Sequence, residues 1–197
     1  MGLFGGKTAC SVCGEKESKH LCTEIADGTL CPQCARYCVQ SPLASVAAVR
    51  QAREENHRRF QLFHETKVLT QTLGGSIFVD LDHRLGYLSG QKKPKVEPLV
   101  FQFSEVEGYQ LERVGEKTVT KTKGGLTRAV VGGALFGPAG AIVGASTAKT
   151  ETKTTGGISI LSVALNLGGL KTRVQLASPP LGAGALLDSM MELGEEG

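Results

Sequence analysis

The sequence predicts an α+β fold, and three features of the chain support this class. Cysteines occur in two close pairs within the first 40 residues, which indicates a small module with its own chemistry. Apolar and polar residues alternate in several segments between residues 67 and 176, as is typical of antiparallel strands. A glycine-rich apolar stretch, residues 128–148, interrupts these strands. We therefore predict a small N-terminal module, a helix, a β domain with a C-terminal helix, and an inserted helical hairpin.

The N-terminal module, residues 1–40, is predicted from the spacing of its cysteines. Cys10 and Cys13 form one Cys-x-x-Cys pair, Cys31 and Cys34 form a second, and seventeen residues separate the two pairs. Each pair turns the backbone so that two thiolates converge, and two such pairs complete a tetrahedron around Zn²⁺. Because four thiolates close the coordination sphere, we expect a structural zinc ribbon.

Other residues of this module leave the ligand set open to alternatives. Cys38 lies four residues after Cys34, and His20 and Cys22 lie between the two pairs. Each of the three can compete as a zinc ligand, and the alternative for the two cysteines is a plain buried or surface thiol. Residues 1–8 lack the long apolar core of a secretory signal, so we expect a cytoplasmic protein whose cysteines bind metal instead of forming disulfides.

The same module resembles a zinc ribbon of bacterial and phage proteins. The sequences MGLFGGKTACSVCG and IADGTLCPQCA are similar to the N-terminal module of those proteins, in which MGLFG and ADG-x-L-C-x-x-C recur. The resemblance covers about the first 38 residues. It implies a bacterial or phage cytoplasmic protein, and it carries no activity that could be transferred. A zinc ribbon offers a protein-binding face, so an unidentified protein partner is expected there.

A helix is predicted over residues 41–66. Ser41 is suited to cap its N-terminus, and Pro42 is suited to the first helical position. The sequence REENHRR at residues 53–59 interrupts the apolar positions, so the middle of the helix is expected to be solvated. We interpret this helix as a spacer between the zinc ribbon and the β domain.

The β domain is predicted from period-two patterns on both sides of the glycine-rich stretch. Alternation over residues 77–81, followed by a turn at residues 82–84, predicts a hairpin. Two further strands are predicted at residues 158–167 and 172–176. A C-terminal helix is predicted over residues 181–193. The apolar side of this helix contains Leu186, Leu187, Met190 and Met191.

The order of these elements resembles a pleckstrin-homology (PH)-like barrel, in which antiparallel strands precede one C-terminal helix. The sequence PLVFQFSEVEGYQLERVG, residues 98–115, is similar to a strand–turn–strand unit of bacterial domains of this type. Proteins that carry the zinc ribbon often contain this domain with a glycine-zipper insertion similar to residues 128–148. The resemblance implies a PH-like antiparallel β-barrel over residues 67–197, interrupted at residues 117–157.

The glycine-rich stretch has no charged or hydrogen-bonding side chain from residue 129 to residue 145. Glycine recurs every four residues, at Gly133 and Gly137 and then at Gly140 and Gly144, and this spacing allows a second helix to approach closely. Proline after Gly137 breaks or kinks a helix, so we predict two short glycine-faced helices. The side chains expected to join these four glycines in self-association or membrane contact are Leu135, Phe136, Ile142 and Val143.

Threonine-rich arms flank this hairpin, KTVTKTKGG at residues 117–125 and KTETKTTGG at residues 149–157. Alternating β-branched and charged residues favour exposed strands, so the matching arms predict an antiparallel ribbon that leaves the β domain and returns to it. Each half of the apolar stretch is far shorter than the ~20 residues of a membrane span. Three interpretations remain: a hairpin that dips into one leaflet, a hairpin that self-associates into a homo-oligomer, and a hairpin buried in the core.

Composition and motifs restrict the possible functions. The sequence contains no phosphate loop, nucleophile elbow or free Cys–His or Ser–His set, so an enzyme is not expected. The net charge of +3 is small for a nucleic-acid-binding protein. The first hypothesis is a scaffold or adaptor that self-assembles or associates with lipid of the inner membrane face. The alternative is a nucleic-acid-binding or transcription-associated zinc-ribbon protein.

Overall fold

The fold is given by a computed structural model, which describes residues 6–72, 74–91, 94–113, 119–122 and 159–196. The predicted glycine hairpin at residues 128–148, with its four glycines and four apolar side chains, lies outside the described residues. The second threonine-rich arm at residues 149–157 lies outside them as well. None of the described helices combines the length and the apolar character that a membrane crossing requires.

The N-terminal module consists of two short β-hairpins and one turn of helix. Strand β1 (Lys7–Ala9) pairs antiparallel with β2 (Lys16–Ser18), and β3 (Thr23–Ile25) pairs antiparallel with β4 (Gly28–Leu30). Helix α1 (Pro32–Ala35) begins with proline, which fits the first turn because no intrahelical partner exists there for an N–H group. Strands of three residues bury little apolar surface, so this module needs a further source of stability.

Helix α2 (Val46–Leu62) begins later than the sequence indicated. Ser45 caps it, because the Ser45 Oγ accepts a hydrogen bond from the Ala48 N–H at 3.2 Å. Ser41 instead accepts a hydrogen bond from the N–H of Lys171, at 2.8 Å, in the β domain. The predicted cap at Ser41 was therefore wrong, since that side chain is bonded to a residue far away in sequence.

The β domain contains two four-stranded antiparallel sheets. The strands of the first sheet, in the order β5–β6–β7–β8, are Lys67–Thr70, Ser76–Asp80, Leu85–Ser89 and Phe101–Gln102. The strands of the second sheet, whose order is β10–β9–β11–β12, are β9 (Val106–Arg113), β10 (Val119–Thr122), β11 (Ser159–Leu167) and β12 (Leu170–Ala177). A 3₁₀ turn, Phe103–Glu105, links the two sheets. The predicted hairpin and the two predicted strands after the glycine-rich stretch are confirmed.

The two sheets share one hydrophobic core with helix α3 (Ala183–Glu195). The four apolar residues predicted on one side of this helix, Leu186, Leu187, Met190 and Met191, are all buried. Gly86 in β7 allows the close approach, because a Cβ at Gly86 would come within 2.6 Å of the Met190 Cε. The described strands form two open sheets, so the closed barrel implied by the resemblance is not present in them.

Helix α2 packs against the β domain through one face of its middle, and the rest of its middle is exposed. Asn56 and Arg59 are only 2% and 9% exposed. The Asn56 Nδ2 donates to the Pro98 carbonyl at 3.0 Å, and the Asn56 Oδ1 accepts from the Val100 N–H at 2.7 Å. Arg59 donates to both carboxylate oxygens of Glu105, at 2.6 and 2.9 Å. The expectation of a largely solvated middle holds for Arg53, Glu54, His57 and Arg58, which are exposed, but it missed the buried face formed by Asn56 and Arg59.

The N-terminal module also contacts the β domain directly. Arg36 donates through its Nη1 to the Glu97 carbonyl at 2.7 Å, and its own carbonyl accepts from the Thr172 Oγ1 at 2.6 Å. The Gln40 N–H donates to the carbonyl of Lys171 in β12 at 3.0 Å. Residues of the module, of α2 and of both sheets belong to a single cluster of buried apolar side chains. The ribbon therefore packs on the β domain and does not stand apart from it.

The residues on both sides of segment 123–158 belong to the same sheet. Strand β10 pairs with one side of β9 and β11 pairs with the other side, both antiparallel, so β10 and β11 run in the same direction. Thr122 at the end of β10 stands opposite Gly108, whereas Ser159 at the start of β11 stands opposite Arg113. Segment 123–158 therefore leaves the sheet near one end of β9 and rejoins it near the other end.

Candidate metal centre

Four cysteines of the N-terminal module bring their sulfur atoms together. Cys10 and Cys13 lie on either side of the turn that follows β1, Cys31 precedes α1, and Cys34 lies within α1. All four Sγ atoms lie within 4.8 Å of one another, and the sulfurs of Cys13 and Cys31 are 3.7 Å apart. The four residues are free thiols. The structure thus brings together the four cysteines that the spacing singled out.

Each Cys-x-x-Cys pair is held by a tight backbone turn. In the first pair the N–H of Gly14 donates to the Cys10 carbonyl at 2.9 Å, and Gly14 adopts a φ of 76°, a value that a residue without a Cβ adopts at little cost. In the second pair the N–H of Cys34 donates to the Cys31 carbonyl at 3.0 Å. These local hydrogen bonds direct each pair of thiols to one side of its turn.

The four sulfurs fit a tetrahedral metal ion. Metal–sulfur bonds of about 2.3 Å in a tetrahedral site place the sulfurs about 3.8 Å apart. The 3.7 Å between the Cys13 and Cys31 sulfurs matches this separation, and all four sulfurs lie within 4.8 Å of one another. Thiolate ligands favour soft or borderline-soft ions. Four protein ligands also leave no position for a substrate, as is usual for structural centres.

Burial and hydrogen bonds act in opposite directions on the pKa values of these thiols. Burial by itself raises the pKa of Cys10, but hydrogen bonds from backbone groups of Cys13, Cys31 and Val12 outweigh it and lower the pKa to about 6. Burial raises the pKa of Cys34, and the neighbouring thiols raise it further. The Cys10 thiolate therefore forms readily while Cys34 resists ionisation, and a bound dication would relieve that repulsion.

The alternative ligands named from the sequence do not join the cluster. In the described residues, the one group of side chains positioned to hold a metal ion consists of the four cysteines above. The Cys22 Sγ donates to the Ser18 carbonyl at 3.5 Å, and the Cys38 Sγ donates to the Ala35 carbonyl at 3.6 Å. Burial raises the pKa of the Cys38 thiol. Cys38 is thus a packed core residue, and neither Cys22 nor His20 lies in the metal-binding group.

A cleft of about 710 Å³ lies between the cysteine cluster, α2 and the segment that leads to β8. Basic side chains in its wall include Arg36 and Arg53, and acidic ones include Glu15, Glu17 and Glu97. Phosphate backbones are held by surfaces on which basic residues predominate. The mixed charges of this cleft therefore give no support to nucleic-acid binding beside the ribbon.

Two antiparallel sheets followed by a C-terminal helix, joined to a four-cysteine centre, define a PH-like domain with a potential metal-binding module. Residues 64–175 match a family model described as a glycine zipper containing PH domain, and this range covers more than half of the chain. The chain belongs to that family. The matched range includes the glycine-rich residues 128–148. Neither the curated proteins nor the solved structures contain a match to this sequence.

Proposed function

We propose that this protein is a non-enzymatic scaffold or adaptor that self-assembles, or associates with the inner membrane face, through its glycine zipper at residues 128–148. The observation that carries the proposal is that β10 and β11, on both sides of the zipper, belong to one sheet. A segment whose two ends return to one sheet cannot cross a bilayer once. Two crossings would need about 20 apolar residues each. A shallow hairpin, a self-associating hairpin and a hairpin buried in the core all satisfy both limits.

The composition of the zipper favours association with lipid or with a second copy of the chain over burial inside the protein. Seventeen consecutive residues, 129–145, carry no polar side chain, and glycines recur at four-residue intervals. Such spacing allows backbones of neighbouring helices to approach closely. The described residues of the two sheets and of α3 already form one cluster of buried apolar side chains. An apolar segment of this length on a protein surface is an association site.

The cysteine centre supports a structural role for bound zinc. Four thiols with tetrahedral separations would hold the ion without an open position, so its contribution is to folding. The module that it would stabilise has strands of three residues and is anchored to β12 through Gln40 and Ser41. Its remaining surface is free to bind a protein partner while the β domain presents the zipper.

Leucine substitutions test the role of the zipper. The double variant Gly137→Leu with Gly140→Leu separates the glycine-faced helices, so we expect it to abolish oligomers or lipid binding. Gly6→Leu with Gly90→Leu is the matched control, since a Cβ at either position meets no atom within 4 Å. Sedimentation with and without detergent measures self-association, and flotation with liposomes containing anionic lipid measures membrane binding.

The outcomes separate the two modes of association and the alternative function. Detergent-sensitive oligomers without flotation indicate self-association, and flotation indicates contact with lipid. Wild-type behaviour of the zipper variant in both experiments would overturn the proposal, as would a wild-type protein that is monomeric and does not float. A salt-dependent shift with DNA or RNA in that second case would favour the nucleic-acid alternative.

A further inference from the structure

Strand β12 lies at an edge of the second sheet, and all of its residues are described. Within the described part of the chain it pairs with β11 alone. Successive residues of a strand direct their backbone N–H and C=O groups to opposite sides, so half of these groups in β12 point away from the sheet. Another strand can pair with such groups.

A hydrogen bond next to β12 shows which of its residues point outward. The Ser178 N–H, directly after β12, donates to the Ser159 carbonyl at the start of β11, at 2.7 Å. Ser178 therefore faces β11. By alternation, the backbone groups of Ala177 and Gln175 point away from β11, and so do those of every second residue before them.

The N-terminal module already occupies one end of this edge. The Lys171 carbonyl accepts a hydrogen bond from the Gln40 N–H at 3.0 Å, and the Lys171 N–H donates to the Ser41 Oγ at 2.8 Å. Lys171 has the same parity as Gln175, so these bonds independently confirm the outward direction. The interface with the module thus continues along β12 into the rest of its edge.

Gln175 and Ala177 form an uncovered part of the edge. Among the described residues, the backbone N–H and C=O groups of these two residues have no hydrogen-bond partner, and both residues are exposed. The Gln175 side chain donates to the Ser162 Oγ at 3.0 Å and lies along the sheet. Charged residues or proline usually protect an exposed edge from pairing, and residues 175–177 include neither.

A cavity of about 480 Å³ lies beside this uncovered part of the edge. Its opposite wall is formed by the end of β5, the start of β6 and the turn between them. The Gly75 N–H donates to the Ser178 carbonyl at 3.0 Å, and a Cβ at Gly74 would collide with that carbonyl. The two sheets therefore touch at this point, and the cavity lies between them.

The walls of this cavity are polar but carry no charge. Both sheets contribute hydroxyl and amide groups, from Thr70, Gln71, Thr72, Ser76, Gln175 and Ser178. A charged side chain that entered would lose water without meeting an opposite charge among these residues. Serine and threonine side chains would find hydrogen-bond donors and acceptors instead.

We propose that this cavity binds an extended, serine- and threonine-rich segment of a partner protein, which pairs with Gln175 and Ala177 as an added strand beside β12. Main-chain hydrogen bonds would hold the segment, and the uncharged wall would select small polar side chains. The two outward residues span about 7 Å, so about four residues of the segment would be in contact. The inference goes beyond the proposed function and does not depend on the glycine zipper.

Hydrogen exchange of the full-length protein tests whether the edge is open. At low protein concentration we expect the amides of Gln175 and Ala177 to exchange rapidly, whereas the amide of Leu176, which faces β11, should be protected. Protection of both outward amides under these conditions would show that the chain covers its own edge. Protection that appears only at high concentration would show that a second copy covers it. Either result would overturn the inference.

The binding probe is an eight-residue peptide of alternating threonine and serine with blocked ends, added to zinc-saturated full-length protein. We expect it to protect the amides of Gln175 and Ala177. Ala177→Pro removes one outward N–H but no bond to β11, and proline is tolerated at such edge positions. Loss of this hydrogen bond should weaken peptide binding about fivefold. Ala177→Val is the matched control, because valine adds similar bulk and keeps the N–H.

Two further peptides keep the test independent of any protein variant. A peptide of the same sequence with every backbone nitrogen methylated should not bind, because it has no N–H to donate. A peptide of alternating threonine and lysine should bind more weakly than the original, because the cavity offers its charges no partner.

Four results would exclude the proposed site. They are no protection by the threonine–serine peptide at millimolar concentration, equal binding to Ala177→Pro and Ala177→Val, binding that survives methylation, and tighter binding of the lysine peptide. The last result would show that acidic residues elsewhere on the protein hold the peptide.

Discussion

The N-terminal module and the β domain obtain their stability from different sources. The strands of the module contain three residues each, and four of its buried or partly buried residues are the clustered cysteines. The β domain has strands of up to nine residues, and its core is built from large side chains such as Phe101, Leu165 and Met190. Full burial of one such side chain contributes about 1.5–3 kcal/mol. We therefore expect metal coordination by the four cysteines to supply stability that the short strands of the module do not provide.

Helix α2 connects the two regions, and its packing depends on buried polar contacts as well as on apolar side chains. Its buried face includes Val49, and the polar residues that join it to the β domain include Asn56 and Arg59. Burial alone lowers the pKa of Arg59, but its bonds to Glu105 and Glu55 outweigh burial and raise it. The guanidinium is therefore charged and paired inside the interface. Buried polar pairs of this kind make the docking of the helix specific.

The largest effect is expected from loss of a metal ligand. Cys13→Ser removes one of four thiols, so the protein should lose bound zinc and with it a coordination free energy on the order of 10 kcal/mol. The ribbon, residues 7–38, should unfold while the β domain keeps its own core. Cys22→Ser is the matched control, because Cys22 lies outside the cluster. Elemental analysis gives the metal content, and hydrogen exchange locates the unfolding. Wild-type zinc content in Cys13→Ser would refute the metal centre.

An intermediate effect is expected at the junction between α2 and the β domain. Arg59→Met leaves Glu105, whose side chain is only 13% exposed, without its cation, which should lower the free energy of unfolding by about 3 kcal/mol. Arg58→Met is the control, since Arg58 is 64% exposed and pairs only with Glu55 among the described residues. An exposed pair of this kind contributes little to stability, because solvent screens the two charges. Denaturant titration measures the free energy of unfolding of both variants. Equal losses of stability would show that the pair between Arg59 and Glu105 contributes no more than the exposed pair.

Local signals in the sequence predicted the parts of the fold that depend on neighbouring residues. The Cys-x-x-Cys spacing identified the cluster, and period-two alternation identified the hairpin at residues 76–89 and the strand at 159–167. The apolar side of α3 was also predicted, because its residues recur at helical intervals. These features are encoded within about twenty residues of one another, so a single sequence reveals them.

The features that were missed depend on contacts between distant segments. Asn56 and Arg59 continue a helical stripe that begins with Val49 and Ala52, and the intervals of three and four residues were the available signal. The polarity of these two residues hid the stripe, because their partners in the β domain lie more than forty residues further along the chain. Closure of the sheets into a barrel was inferred from the order of elements, which does not determine how sheet edges meet.

The smallest effect is expected at the start of α2, where the two candidate caps can be separated. Ser45→Ala removes the acceptor for the Ala48 N–H and should cost about 1 kcal/mol of stability. The Ala48 amide should then exchange about fivefold faster, because that free energy corresponds to opening of the first helical turn. Ser41→Ala instead breaks the bond to the Lys171 N–H and should leave exchange at Ala48 unchanged. If exchange at Ala48 is faster in Ser41→Ala but not in Ser45→Ala, then Ser41 and not Ser45 caps the helix. The helix would then begin within the ribbon, and the boundary between the metal-dependent and the hydrophobic regions would have to move with it.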